Sequence, residues 1–428
     1  MHDTTRHSEV ATDARAHPEE TRGVRSRRRR RAGVGAVLGL FVLGVLGSQV
    51  GSPAVAHSEH DDDGDHHGSF VQTDLVSDIP GRAQLLDEEV KNPWGISLGP
   101  DTALWVNNNF NPAAVCPDDD PECIPDPEDL LTKITLYRGA NGVDPITKVP
   151  LEVEASSPTG TVFNPTSSFK ISQGGARVPA RFLFNETFVD SAGTQPEGRI
   201  TGWSPVPNLA TSTTNTPAVK DPALPFGLAL VPAGRFRGPR LLVADGFNNV
   251  IDVYNSRFRK IDRPGLFVDP KAEAQGLALY NVAYLKGRVY VAYVGTSEDA
   301  PGAVSVFRPG GRFIKRLITS TRLVGPWGMA IAPEHWGRFG GRLLVGNVDD
   351  GRINAFDRRD GRFSGTLKDA SGEPLVNPGL WGIAFGNGVI GTPRTLIFAA
   401  GIGDEVDEHV YEHGLVGAIE PSDDEDDD

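Results

Sequence analysis

The sequence predicts an all-β protein: a six-bladed β-propeller whose last blade is closed by the N-terminal strand. A short motif of glycine followed by apolar, small and apolar residues recurs at intervals of roughly 50 to 65 residues. Each copy is followed by an apolar β-branched run, a turn rich in Asn, Asp and Gly, and a strand of alternating character. No stretch of 69–419 keeps a helical period, so we expect little helix.

The recurring motif marks the innermost strand of each blade. Its copies begin at Gly95, Gly160, Gly227, Gly276, Gly328 and Gly382. Radial repetition of such units leaves only short, protected sheet edges, as in a β-propeller. The sixth unit runs out after Ile419 without an outer strand, whereas Phe70–Val76, ahead of the first copy, alternates like a strand. We therefore expect the N-terminal strand to complete the last blade.

The composition fits one large folded region with charged ends. The chain has 428 residues, of which 39% are hydrophobic and 23% charged, and its net charge is −14. Acidic runs at both ends of the folded region carry much of that charge, and no basic face remains to bind nucleic acid. We predict a disordered His/Asp-rich leader over 57–69, the propeller over 70–419 and a disordered acidic tail over 420–428.

Residues 1–56 are typical of an export signal. Arg27–Arg31 precede an apolar run, Ala32–Gly47, and the small-residue site Ala54–Ala56. The run is short for a membrane-spanning helix. We expect cleavage after Ala56 and a secreted protein, and the alternative is an uncleaved segment that anchors it to the membrane. Cys116 and Cys123 then form a local disulfide, because a metal site needs further soft ligands nearby.

Several motifs resemble a known family. They are Leu75–Asp78, Asn92–Ile96, Gly325–Gly328, Gly346–Phe356 and Leu380–Gly382. In this order they resemble an uncharacterised family of exported bacterial proteins, NHL-type six-bladed propellers, of which some members carry a PEP-CTERM sorting tail. The resemblance spans essentially the whole folded region and implies the same fold, but it brings no activity with it. This chain ends in acidic residues instead of the sorting tail, so no cell-surface sorting is implied.

Aromatic residues beside the motif glycines form the first candidate site. Trp94, Phe226, Trp327 and Trp381 begin inner strands, and Gln275 stands in the related place of the fourth unit. Rings around one mouth of the channel can stack on a sugar or another flat ligand. The alternative is that the Trp-Gly pairs serve only to pack the blades. His413 is a further residue of this rim.

Polar residues at the ends of second strands form the other candidate site. Asn107, Asn185, Asp245 and Asn347 stand there, and Glu186 adds a second carboxylate. Amide and carboxylate oxygens suit Ca²⁺. The set is similar to the metal site of calcium-dependent lactonase propellers, in which the metal polarises a carbonyl or activates water. The alternative is that Asn and Asp simply begin turns.

Two catalytic patterns match by accident. Gly95–Gly99 reads G-x-S-x-G, but Ser97 falls inside a strand rather than at a strand-to-helix elbow. His409–His413 reads H-x-x-E-H, but no room remains for the helix that a zinc site needs. We assign no catalytic residue and expect a binding module for a small molecule, glycan or extracellular protein. A Ca²⁺-dependent hydrolase or lyase is the alternative.

Overall fold

A computed structural model describes residues 68–110, 131–189, 196–215, 224–234, 238–297, 300–403 and 411–422. Cys116, Cys123, the export signal and the leader up to His67 lie outside these ranges, as do His409 and the end of the acidic tail. Within the described ranges, no helix combines the length and the apolar character that crossing a membrane requires.

Strands dominate the described chain. In chain order they are β1 (Phe70–Ser77), β2 (Leu85–Leu86), β3 (Pro93–Ser97), β4 (Leu104–Asn108), β5 (Leu131–Arg138), β6 (Thr147–Lys148), β7 (Val153–Ser156), β8 (Pro158–Phe163), β9 (Lys170–Gln173), β10 (Ala176–Pro179), β11 (Phe182–Val189), β12 (Pro196–Trp203), β13 (Thr214–Asn215), β14 (Pro225–Val231), β15 (Arg240–Asp245), β16 (Val250–Asn255), β17 (Leu277–Leu285), β18 (Arg288–Gly295), β19 (Gly302–Phe307), β20 (Phe313–Ser320), β21 (Pro326–Ile331), β22 (Leu343–Asn347), β23 (Ile353–Phe356), β24 (Phe363–Thr366), β25 (Leu380–Phe385), β26 (Leu396–Ile402) and β27 (His413–Pro421). Short 3-10 turns at Glu273–Gln275 and Gly337–Phe339 are the helices of the described ranges.

The strands form six small sheets in a ring, which confirms the predicted six-bladed propeller. Blade one contains β3 to β7, blade two β8 and β11 to β13, and blade three β14 to β16. Blade four contains β17 to β20, blade five β21 to β24, and blade six β25 to β27 with β1 and β2. The separate hairpin of β9 and β10 is inserted within blade two. In blades two to five the strands run outwards from the channel in chain order, as the repeat predicts. In blade one β6 and β7 both pair with β5, and in blade six β1 and β2 lie outside β27.

The N-terminal strand closes the last blade, as expected. β1 lies antiparallel to β27, with Phe70 opposite Pro421 and Ser77 opposite Leu415. β27 therefore continues beyond Ile419, where we had placed the end of the propeller. Just past the ends of the two strands, the Ser422 N–H donates to the Ser69 carbonyl oxygen at 2.9 Å. This pairing joins the two ends of the folded chain within one sheet.

The apolar core is divided among the interfaces between neighbouring blades. Six clusters of buried side chains each join two adjacent blades around the ring. Trp105 of blade one stacks on Phe182 of blade two with centroids 4.3 Å apart, and Phe70 of blade six lies 4.8 Å from Trp336 of blade five. Among the described residues, every blade buries apolar side chains on both of its faces in this way.

Inner strands approach one another so closely that only glycine fits at most of the contacts. A Cβ atom on Gly328 would lie 2.5 Å from the Trp381 carbonyl oxygen of the next blade, and one on Gly95 would lie 2.3 Å from the Thr159 carbonyl oxygen. Gly160, Gly227 and Gly382 are confined in the same way. The repeated glycine is therefore a requirement of channel geometry.

The assignment of Gly276 to this ring is wrong. In blade four the ring position belongs to Asn281, whose amide nitrogen donates to the Trp327 carbonyl oxygen at 2.7 Å. Gly276 instead caps a 3-10 turn ahead of β17 with φ of 62°. The sequence that starts at Gly276 matches the motif, but β17 contains extra residues before its bulge. The bulge therefore lies at Tyr280, further along the chain. Tyr280, not Gln275, is accordingly the residue related to the rim aromatics.

Gly328→Ala should destabilise the ring. The new methyl group meets a backbone carbonyl that belongs to the neighbouring blade and cannot turn away, so we expect a loss of about 2 kcal/mol or more in the free energy of unfolding. Chemical denaturation of the purified variant measures this loss. Gly310→Ala is the matched control, because a Cβ there meets nothing within 4 Å. Equal stability of the two variants would contradict the close-approach argument.

Candidate functional site

A bulge in every inner strand determines what lies at the channel mouth. In blades one, three, five and six, the strand register shifts between Pro93 and Ile96 and at the corresponding positions. Blades two and four contain related shifts beside Thr159 and Tyr280. In five blades the bulge leaves two inner-strand residues out of the pairing, a motif glycine and the residue before it, and in blade four it leaves one. The residue before the glycine, or the single residue in blade four, is the bulge residue of its blade. These six residues are Trp94, Thr159, Phe226, Tyr280, Trp327 and Trp381.

The bulge aromatics and Tyr411 form one cluster, which we call the aromatic plug. Trp94 stacks on Trp381 with ring centroids 3.9 Å apart. Trp327 meets both edge-on, at 5.5 Å from Trp94 and 5.2 Å from Trp381. Phe226, Tyr280 and Tyr411 pack against the three indoles. The contacts cross the ring as well as following it, so the side chains fill the mouth.

The plug differs from the open rim that we predicted. Trp94, Trp327 and Trp381 are only 7%, 3% and 4% exposed. The Trp381 ring N–H donates to Asn92 Oδ1 at 3.1 Å. The structure thus brings together all four predicted rim aromatics, with their faces mostly occupied by one another. Beneath them, the inner strands enclose a channel cavity of about 190 Å³. It is lined by Asn281 and by the five motif glycines other than Gly276.

The predicted calcium ligands fall into two strand registers. Asn107 and Asn185 face the neighbouring blade: Asn107 Nδ2 donates to the Thr159 carbonyl oxygen at 2.9 Å, and Asn185 Nδ2 to the Gly227 carbonyl oxygen at 3.0 Å. Asp245 and Asn347 stand one position further along, opposite Pro225 and Pro326. A shift of one residue reverses the side of the sheet on which a side chain lies. The four residues stand at similar places in their repeats, but their side chains therefore do not share one orientation.

Asp245 and Asn347 bind local partners. Asp245 accepts the backbone N–H groups of Phe247 and Asn248, both at 3.1 Å, and the Asn248 side-chain amide at 2.6 Å. Asn347 Nδ2 donates to Asp350 Oδ1, three positions further along the turn, at 3.0 Å, and also to the more distant Arg322 carbonyl oxygen at 2.8 Å. Burial raises the pKa of Asp245, and the hydrogen bonds from Asn248 partly oppose that rise. These contacts are the turn-forming role that was the alternative for both residues.

Glu186 is a fully enclosed carboxyl group. It is 1% exposed, accepts the Ser156 backbone N–H at 3.0 Å, and accepts a hydrogen bond from the Thr201 hydroxyl. Burial raises the pKa of Glu186 above its ordinary value, and the hydrogen bonds from Ser156 and Thr201 lower it in part. Its oxygens are therefore engaged between blades one and two, by Ser156 of β7 and Thr201 of β12.

Calcium at the channel mouth stays a prediction. Among the described residues, no group of three or more His, Cys, Asp or Glu side chains could hold a metal ion. Four buried amide oxygens lack a hydrogen-bond partner within the described ranges: Oδ1 of Asn107, Asn108, Asn185 and Asn347. Such oxygens are ligands that Ca²⁺ accepts, although a typical site also includes free carboxylates.

A separate groove lies where the ring closes, between blades six and one. We call it the seam groove. Its volume is about 560 Å³, and it is lined by Asp78, Glu88, Glu89, Lys91, Phe110, Leu131, Thr132, Lys133, Glu154 and His413. A second cavity of similar size shares Lys133 and Glu154 and reaches Thr211. Of the five residues predicted for the rim, His413 is the one that lines this groove.

The seam groove holds a histidine fixed by a buried carboxylate. His413 Nδ1 lies 2.7 Å from Asp78 Oδ2, and the Gly414 N–H donates to Asp78 Oδ1 at 2.9 Å. The Asp78 side chain is 3% exposed and that of His413 is 39% exposed. Lys91 Nζ lies 3.7 Å from the same Asp78 oxygen. In the tautomer with the proton on Nδ1, His413 donates to Asp78 Oδ2, and Nε2 is left for other partners.

Sequence reasoning missed Asp78, Lys91 and Phe110. The signal for Asp78 was present, because the predicted pairing of the N-terminal and last strands already places the end of β1 beside the start of β27. His413 and Asp78 are 335 positions apart in the chain, and only ring closure makes them neighbours. Lys91 and Phe110 lie on connecting segments, for which the repeat pattern predicts no position.

Comparison with known proteins adds relatives without an assigned activity. No family model matches the chain. Two uncharacterized proteins of Acanthamoeba polyphaga mimivirus are each 28% identical to it. One alignment covers 81% of this chain and 78% of the viral protein, and the other covers 72% and 77%. The bacterial origin and the NHL assignment therefore stay predictions.

Solved structures with a similar chain course include two proteins named as enzymes. A glucose dehydrogenase from Thermus thermophilus has a TM-score of 0.45 and 12% identity, over 82% of this chain and 100% of that chain. An α-L-arabinofuranosidase of Fusarium graminearum, in complex with arabinobiose, has a TM-score of 0.48 and 10% identity, over 82% of this chain and 98% of that chain. Likenesses of this size say nothing about the ligand or activity of the present chain.

Glu186→Gln should change how stability depends on pH. The raised pKa of Glu186 means that the unfolded chain loses this proton at lower pH than the folded chain does. The wild-type protein therefore loses stability as pH rises through the folded pKa, whereas the glutamine variant does not. We expect the difference in melting temperature, variant minus wild type, to become more positive from pH 4 to pH 8. A difference that stays constant across this range would contradict the assignment.

The calcium prediction has a direct test. Protein prepared without chelator should contain about one ion per chain and melt at a lower temperature after chelation, because loss of the ion would leave buried amide oxygens unsatisfied. Asn185→Ala should lose that ion, whereas Asn255→Ala, on the outer strand of blade three, should keep it. Metal-free protein whose melting temperature is the same in chelator would contradict the prediction.

Proposed function

We propose that this protein is a secreted binding propeller whose ligand occupies the seam groove. The observation that carries the proposal is the Asp78–His413 pair, a partly exposed polar group held rigidly inside a cavity of about 560 Å³. Binding sites of this size combine apolar walls with a few fixed polar groups. The aromatic plug fills the channel mouth itself, which favours the seam groove as the place for a ligand.

The lining favours a neutral sugar or glycan. Lys91 and Lys133 offer hydrogen-bond donors, and Glu88, Glu89 and Glu154 offer acceptors. A polyhydroxylated ligand can satisfy both kinds of group without bringing an unpaired charge into the groove. Phe110 and the exposed Leu131 add an apolar wall against which a sugar ring or an attached apolar group can stack.

The setting of the protein is part of the same proposal. The arginine cluster, apolar run and small-residue site before His57 support export, with membrane attachment only if that segment is retained. An exported propeller would meet extracellular sugars, glycans or proteins. A calcium-dependent hydrolase or lyase at the channel mouth remains the alternative, and the metal measurement given above tests it.

Aryl glycosides of neutral sugars are suitable first probes, because they pair a polyol with an apolar ring. We expect p-nitrophenyl glycosides to bind by calorimetry, and Phe110→Ala and His413→Ala to weaken the Kd about tenfold or more. His335→Ala, an exposed histidine outside the groove, is the matched control and should bind normally. Absence of binding across the panel, or binding that both groove variants leave unchanged, would contradict the seam groove as the ligand site.

A further inference from the structure

We infer that the seam groove is also an acid–base site, which hydrolyses a carboxylic ester carried by the bound sugar. This inference rests on the proposed function, since it takes the same groove as the place where the sugar binds. The observation behind the inference is that one buried carboxylate contacts both a histidine, which can act as a base, and a lysine, which is a cation. His413 Nδ1 and Lys91 Nζ lie 2.7 and 3.7 Å from the same Asp78 oxygen.

Asp78 is a positioning residue. Its carboxylate accepts hydrogen bonds from His413 and from the Gly414 N–H and forms an ion pair with Lys91, so it has little capacity left to bind a ligand. By accepting a hydrogen bond from Nδ1–H, it holds the ring in the tautomer whose lone pair lies on Nε2. A histidine oriented by a buried carboxylate in this way is a general base.

Lys91 supplies the complementary electrophile. Its ammonium group shares the Asp78 oxygen with His413, and its side chain is 31% exposed. An ammonium beside the base can donate a hydrogen bond to the oxygen on which negative charge develops during acyl transfer. Phe110 and Leu131 on the same wall offer an apolar surface for the acyl group.

The acidic residues of the groove favour an uncharged ester substrate over a substrate that carries a negative charge. Glu88, Glu89 and Glu154 face the same cavity, and Lys133 is the other cation there. A substrate with its own carboxylate would meet these groups at short range, whereas an ester of a neutral sugar has no charge to repel.

The reaction balances with water as the second substrate. His413 Nε2 accepts a proton from water as the water oxygen forms a bond to the ester carbonyl carbon. The carbonyl electron pair moves to oxygen, where Lys91 stabilises it. When this intermediate collapses, the bond between the acyl carbon and the sugar oxygen breaks, and the proton on Nε2 passes to the leaving oxygen. A carboxylic acid and a free sugar hydroxyl are released.

The Asp78–His413 pair also clamps β1 to β27, so the test needs a readout that a purely structural contact would not affect. Chemical rescue provides it. We expect the full-length protein to hydrolyse p-nitrophenyl acetate and a fully O-acetylated methyl glucoside, and His413→Ala to lower kcat/KM about 100-fold. After subtraction of the rate that imidazole gives without protein, added imidazole should restore part of the lost rate in His413→Ala and leave the wild type unchanged.

Further variants separate the roles. Lys91→Met and Asp78→Asn should lower kcat more than they change KM, and His335→Ala should leave the rate unchanged. Melting curves show whether each variant is folded. Ester hydrolysis no faster than in buffer, or a His413→Ala rate that equals the wild type, would overturn the inference. If aryl glycosides still bind in that case, the proposed function stands without it, and if they do not bind, both proposals fail.

Discussion

The close approach of six inner strands around the channel is the constraint on which the rest of the structure depends. Each strand presents its bulge backbone to the next one at a distance that excludes a Cβ atom, except in blade four, where the Asn281 side chain makes the contact instead. This spacing sets the number of blades that fit and the size of the channel. It also places one bulge residue from each blade at the same mouth, where the aromatic ones can meet.

Two consequences follow for function. The six rings of the aromatic plug stack on one another at one mouth of the channel, so their faces are mostly in contact with each other. The second consequence arises from ring closure. Because the first strand must join the last blade, Asp78 lies beside His413, and the seam acquires a fixed polar group that no single blade could build. The proposed ligand site, the seam groove, therefore lies where the N-terminal strand joins the last blade and the regular repeat ends.

The sequence was sufficient to predict the architecture, because alternation, turn residues and the glycine motif recur in each blade. The closure by Phe70–Val76 was predicted because the sixth unit lacks an outer strand, and the observed strand extends to Ser77. The strand register of individual residues was harder to predict than the architecture. Gly276 copies the motif yet caps a turn, and Asn107 differs from Asp245 by one position along its strand. A short motif does not show whether a strand contains an added residue. One added residue moves the following side chains to the opposite face of the sheet.

The candidate site was predictable only in part. His413 was identified as a residue near the mouth, but Lys91 and Phe110 belong to connecting segments, whose course depends on tertiary contacts rather than on local pattern. The most direct measurement is a crystal structure of the protein with a bound aryl glycoside. The account predicts the sugar in the seam groove, within hydrogen-bond distance of His413 Nε2 and against Phe110, with the aromatic plug unmoved. A ligand seated among separated rings of Trp94, Trp327 and Trp381 would contradict it.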